Sequence, residues 1–241
     1  MDIGRISSSS GGLLNSMISR VMGGGGGASE AIRKSFGEPL PQVVDISNNP
    51  ELQALFTRQS MVERIRRKLS TLSRKKGRIV PAKGIIASVL QASEVTHNQD
   101  LVFVGVDFLS EYQTQEETVA GVLAHEWGHL VSDLTQGINP DQLTWEQVFQ
   151  LRKEEEAMAD GFAGKMLCLM EHTPNGLIQF LGSGTGCHKE SHKYHSLATR
   201  AAIIRAVYQD TQRRQNQAKN MMIFSNSPFS NPFTTQLIAV A

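Results

Sequence analysis

Residues 114–131 read Thr-Gln-Glu-Glu-Thr-Val-Ala-Gly-Val-Leu-Ala-His-Glu-Trp-Gly-His-Leu-Val. Thr114 with Glu117 three positions later is a capping-box signature, and Val119, Val122, Leu123, Trp127 and Leu130 recur at helical spacing. The pattern predicts a helix that Gly137 and Pro140 stop. Inside it lies His125-Glu126-Trp127-Gly128-His129, the HExxH arrangement. Residues four apart share a helix face, so both imidazoles can reach one ion from adjacent turns while Glu126 lies beside it.

That pairing suits zinc-assisted hydrolysis. The metal lowers the pKa of a bound water towards about 7, and a neighbouring glutamate can take its proton. The expected roles are therefore His125 and His129 as zinc ligands and Glu126 as general base. Catalytic zinc normally takes three protein ligands, so one more is needed. A metzincin would carry Gly and His three and six residues beyond the second His, but those positions are Ser132 and Thr135.

The acidic run Glu154-Glu155-Glu156-Ala157-Met158-Ala159-Asp160 offers the alternative. Thr144 with Gln147 caps a second helix that continues through Val148, Leu151, Met158, Phe162 and Met166 to about Met170, where Pro174 and Gly176 close it. On it Glu156 and Asp160 are four apart on one face. Glu156 can ligate the metal, and Asp160 can accept a hydrogen bond from the far nitrogen of a ligating imidazole. Glu154 and Glu155 remain alternative ligands. Small Ala157 and Ala159 would let the two helices approach closely.

HEWGH followed by EAMAD resembles the gluzincin metallopeptidases, in particular the group containing the CAAX prenyl protease and the HtpX-type quality-control peptidases; the resemblance spans roughly Leu101 to Arg205. It implies a zincin-like α+β domain in which a strand precedes the HExxH helix. It further implies Glu156 as third ligand and Asp160 as its support. The group also carries a histidine six residues before an arginine near the site, often followed by proline. Here His195 lies five before Arg200, Tyr194 lies six before it, and Ser196 stands where proline is expected. Either Tyr194 or His195 is then the hydrogen-bond donor to an oxyanion, with Arg200 as structural or electrostatic support.

Outward from the motif, Leu101–Leu109 and Ile79–Leu90 read as strands of a small sheet. From Asn49 to about Ser73, Leu55, Val62, Ile65, Leu69 and Leu72 mark one amphipathic helix, followed by Arg74, Lys75, Lys76 and Arg78, a basic run read as a solvated face. A last helix is expected from Leu197 to about Gln217. Residues 1–38, with serines at 7–10 and glycines at 23–27, read as a flexible tail containing a short amphipathic stretch, Leu13 to Met22. Residues 39–219 form the expected domain and 220–241 a second tail, and either tail is a candidate for occupying the cleft and keeping it latent.

Composition narrows the classes. With 24 basic and 23 acidic side chains the net charge is +1, which calls for neither nucleic acid nor an anionic membrane as partner. No apolar run reaches membrane-spanning length and no signal peptide is evident, so the expectation is a cytoplasmic protein or one released without such a signal. Two cysteines, Cys168 and Cys187, make no disulfide framework. Cys187, His188, His192 and His195 form a loose second cluster of metal-binding residue types without a standard spacing, and His97 and His172 read as local surface histidines. The leading expectation is thus one zinc per chain and hydrolysis of protein or peptide substrates. The alternatives are a zinc-bound interaction module with little activity, and an effector protease delivered into another cell.

Overall fold

The computed structural model describes residues 41–92, 98–134, 138–139, 142–183 and 190–225, with side chains as far as 221. His97, Cys187, His188, the 1–38 tail and the chain beyond 225 lie outside the described residues. Within them the chain is mixed α+β. Its strands are β1 (Gln42–Val43), β2 (Arg78–Lys83), β3 (Ala87–Leu90) and β4 (Leu101–Gly105). Its helices are α1 (Pro50–Leu55), α2 (Met61–Ser73), α3 (Val106–Tyr112), α4 (Glu116–Val131), α5 (Trp145–Leu169), α6 (Asn175–Ser183) and α7 (Leu197–Ser225).

The four strands form one sheet in the order β1-β2-β4-β3, with β2 and β4 parallel and the other two pairs antiparallel. β4 is buried along its whole length, and its side chains divide by the two-residue period of a strand. Val102 and Val104 join the main core with Val62, Ile65 and Leu69 of α2 and Val119, Leu123 and Trp127 of α4, whereas Leu101 and Phe103 pack on the opposite face with Val80, Ala82 and Leu90. The edge strand β3 packs against α4, and just after it Gln91 Nε2 donates to the carbonyl of His129 at 3.1 Å. That bond fastens the end of the histidine-bearing helix to the sheet.

Several expected elements divide where local chemistry intervenes. The single helix expected over 49–73 is two. Asn49 caps α1 by accepting from the Leu52 amide, and Ser60 caps α2 by accepting from Glu63. The expected strand 79–90 is likewise two, parted at Gly84, which sits at φ +75°. The run Leu101–Leu109 is a strand only to Gly105 and then turns into α3, because an apolar run alone does not distinguish a buried strand from a buried helix.

α4 starts at Glu116 behind Gln115, which makes no side-chain cap, and it ends at Val131 rather than at Gly137. The Glu117 carboxylate instead accepts from the amide and hydroxyl of Thr173, holding the turn that leads into α6. Pro174 and Gly176, read as a stop, in fact open α6. α7 runs eight residues beyond the expected Gln217.

α5 lies between α4 and α7. A Cβ on Gly128 would fall 2.7 Å from the Ala159 Cα, and one on Gly164 would collide with the Ile204 carbonyl oxygen. The helix carrying the acidic run is therefore in backbone contact with both neighbours. The close approach expected from Ala159 is present, but its partner in α4 is a glycine.

Candidate metal centre

His125 and His129 stand one turn apart on α4, and Glu156 projects from α5 across the Gly128–Ala159 contact. One donor atom from each of the three lies within 4.8 Å of the others, so this group could hold a metal ion. Two donors about 2.0–2.1 Å from one tetrahedral ion lie roughly 3.3–3.4 Å apart. Here each pair is near that spacing but to a different oxygen of the carboxylate: His125 Nε2 is 3.2 Å from Glu156 Oε2, and His129 Nε2 is 3.5 Å from Glu156 Oε1. The imidazoles are nearly perpendicular, with centroids 5.0 Å apart. Two imidazole nitrogens and one carboxylate converging in this way could hold a metal ion.

A second ring of charge surrounds the three. Behind His125, Nδ1 is 3.0 Å from Asp160 Oδ1, an ion-pair distance although the two are not aligned as a hydrogen bond. Asp160 is fully buried and is gripped by Arg200, Nε to Oδ2 at 2.7 Å and Nη2 to Oδ1 at 2.8 Å. Behind His129, Nδ1 is 3.8 Å from Glu155 Oε1, and Glu155 pairs with Arg152 at 2.8 Å. Arg152 also reaches Glu156 Oε1 at 2.7 Å, and its side chain is only 3% exposed. Each imidazole thus has a carboxylate behind it, and each of those carboxylates has a guanidinium.

These contacts decide the charge states. Burial opposes a proton on His125, but the nearby Asp160 and Glu156 outweigh it and push its pKa up to about 10. Burial would likewise raise Glu156, yet the charge of Arg152 and the contacts with both histidines hold it well below the ordinary carboxylate value. Asp160 is also held low, against burial, by Arg200 and His125. Burial disfavours the charge on Arg200, but its bonds to Asp160 hold it above the ordinary arginine value. Without a metal, a proton on His125 offsets the acidic excess; a divalent cation would take over that role.

Glu126 is half-buried, and its Oε2 is buried without a hydrogen-bond partner among the described residues. A carboxylate oxygen in that state needs an explanation. Tyr194 joins the site indirectly, its ring lying 5.1 Å from the Arg200 guanidinium carbon. His195 is half-buried on the segment before α7. Of the three residues expected around the oxyanion, Arg200 bonds Asp160 directly.

The acidic run separates cleanly. Glu154 is exposed and bonded to Gln150, so it points away from the donor set. Glu155 is buried with Glu156 and stands behind His129. Arg152 was not anticipated. Its signal was present as a cation three and four residues before two glutamates, an ordinary helical pairing pattern, but nothing local showed that this face is buried.

Among the described residues no other group of three metal-binding side chains comes together. Of the suggested second cluster, Cys187 and His188 lie outside those residues, and the His192 ring stacks on Phe149 at 4.3 Å. His172 Nε2 lies 3.8 Å from Glu116 Oε1. No described helix is long and apolar enough to cross a membrane. No family model, curated protein or solved structure matches the chain.

Proposed function

We propose that this chain is a zinc-dependent metalloendopeptidase of the gluzincin kind, hydrolysing peptide bonds in protein or peptide substrates. The observation that carries the reading is the convergence of His125, His129 and Glu156 within 4.8 Å, with the unpartnered Glu126 carboxylate oxygen on the same helix. A zinc ion held by these three groups supplies Lewis acidity to a substrate carbonyl and to a water molecule.

The remaining roles belong to the chain. Glu126 accepts the proton of the attacking water and returns it to the departing amine, and a base in this role contributes about 10²–10⁴-fold. Asp160 keeps the His125 proton on Nδ1, which leaves Nε2 free to ligate. Arg200 holds Asp160 ionised and oriented. The edge strand β3, tied through Gln91 to the end of α4, is the sheet edge along which an extended substrate aligns by backbone hydrogen bonds.

The test is metal content together with cleavage of an unstructured protein such as casein, for the native chain and for Glu126→Gln. The expected result is about one zinc per chain, with Glu126→Gln retaining the metal while activity falls by at least about a hundredfold. Zinc without activity would favour an interaction module. No zinc would remove both readings.

A further inference from the structure

Arg152 is 2% exposed, so its charge sits where desolvation is costly unless carboxylates compensate it. The compensation is specific. Arg152 Nη1 meets Glu155 Oε2 at 2.8 Å and Nη2 meets Glu156 Oε1 at 2.7 Å, so adjacent glutamates are held by the two terminal nitrogens of one planar fork. Oε1 of Glu156 is taken by Arg152 although it also lies 3.5 Å from His129 Nε2, while Oε2 faces His125 Nε2 at 3.2 Å with Arg200 Nη2 3.8 Å away. The other arm sets Glu155 behind His129.

We propose that Arg152 is a positioning residue of the metal centre, holding Glu156 by one carboxylate oxygen so that it acts as a one-oxygen ligand, and holding Glu155 behind His129. This rests on the metallopeptidase reading and deepens it. Arg200 orders the His125 side through Asp160, and Arg152 orders the His129 side and the third ligand. A glutamate free to give both oxygens would raise the coordination number and suit larger oxygen-seeking cations such as calcium. A glutamate restrained to one keeps three protein donors and an open fourth position, the arrangement of a catalytic zinc site. Lysine would keep the charge but could not bridge both glutamates with fixed geometry.

The experiment uses the full chain and needs no peptidase assay. Zinc affinity is measured by competition with a chelator, and the visible spectrum of the cobalt-substituted protein reports coordination number, for the native chain, Arg152→Gln and Arg152→Lys. Folding of each metal-free variant is followed by circular dichroism. The expected result is zinc binding about 10–100-fold weaker in Arg152→Gln, with cobalt bands losing intensity as the glutamate takes a second coordination position. Arg152→Lys should fold and still bind at least about tenfold more weakly than native.

A folded Arg152→Gln with native zinc affinity and a native cobalt spectrum would overturn the proposal. If Arg152→Gln does not fold, Arg152→Lys decides: native affinity and spectrum overturn the proposal, and weakened affinity with an altered spectrum supports it. The native chain separates the two levels of inference. Zinc bound by native protein and equally by the variants removes only the role of Arg152, whereas no zinc bound by native protein removes the metallopeptidase reading as well.

Discussion

Arg200 holds Asp160 through two parallel hydrogen bonds of 2.7 and 2.8 Å, and the same carboxylate stands 3.0 Å from His125 Nδ1. A residue 75 positions from His125 in the chain is thereby coupled to the ring whose Nε2 faces Glu156. Arg200→Ala leaves a buried carboxylate without its cation, a loss of about 3–5 kcal/mol for a pair of this kind. Asp160→Asn removes the negative charge behind the imidazole and should weaken zinc binding about 10–100-fold. Thermal melts of metal-free protein and chelator competition measure the two effects. If Asp160→Asn binds zinc like the native chain, Asp160 does not support His125.

The metal-free protein should lose stability as the solution becomes alkaline. The pKa of His125 is raised from 6.5 to about 10 by the folded surroundings. Its stabilising contribution is therefore fully present below about pH 6.5 and is lost as pH rises through about 10. Urea unfolding of chelator-treated protein at pH 6.5 and at pH 10 should show the fall, and Asp160→Asn should flatten it. With zinc bound the proton is already displaced, so this component of the pH dependence should vanish. Equal stability of native metal-free protein at both pH values would show that His125 is not held protonated.

Gly128 gives a steric test of how the donor set is assembled. A methyl group there meets the Ala159 backbone at 2.7 Å, and backbone cannot turn aside as a side chain can. Gly128→Ala should cost about 1–3 kcal/mol by overpacking, and by moving α5 away from α4 it should weaken zinc binding as well. Ile65→Val, in the core contributed by α2, should cost about 0.5–1.5 kcal/mol and leave zinc affinity unchanged. The informative outcome is the divergence between the two variants. If zinc affinity simply follows stability in both, the Gly128–Ala159 contact has no special part in setting the ligands.

What could be read in advance follows how local each determinant is. His125, Glu126 and His129 lie within one turn and a half of helix, so spacing alone puts the imidazoles on one side. Glu156 and Asp160 are likewise related by a single turn. Arg152 received no role and Glu155 only that of an alternative ligand, because an arginine three and four residues before glutamates is an ordinary helical pair until α4 and α7 are known to enclose it. The run 101–109 misled for the same reason. Its apolar residues are buried as expected, but the change from strand to helix at Gly105 is set by tertiary packing, with the Gly105 amide bonded to the Ile86 carbonyl.

The two capping signatures make that distinction measurable. Thr144 and Gln147 form the full capping box at the start of α5, Thr144 Oγ1 accepting from the Gln147 amide at 3.3 Å and Gln147 Oε1 accepting from the Thr144 amide at 2.8 Å. Thr114 and Glu117 carry the same pattern but form no box, since α4 begins at Glu116 and Glu117 bonds to Thr173. Thr144→Ala should therefore destabilise by about 1 kcal/mol, the usual loss for an N-cap, while Thr114→Ala should change stability by less than about 0.5 kcal/mol. Glu117→Ala should be costlier than Thr114→Ala, because it releases the amide and hydroxyl of Thr173 at the entrance to α6. Chemical denaturation of the three variants resolves the order. An effect of Thr114→Ala equal to that of Thr144→Ala would mean that α4 is capped in solution by the residue its sequence suggests.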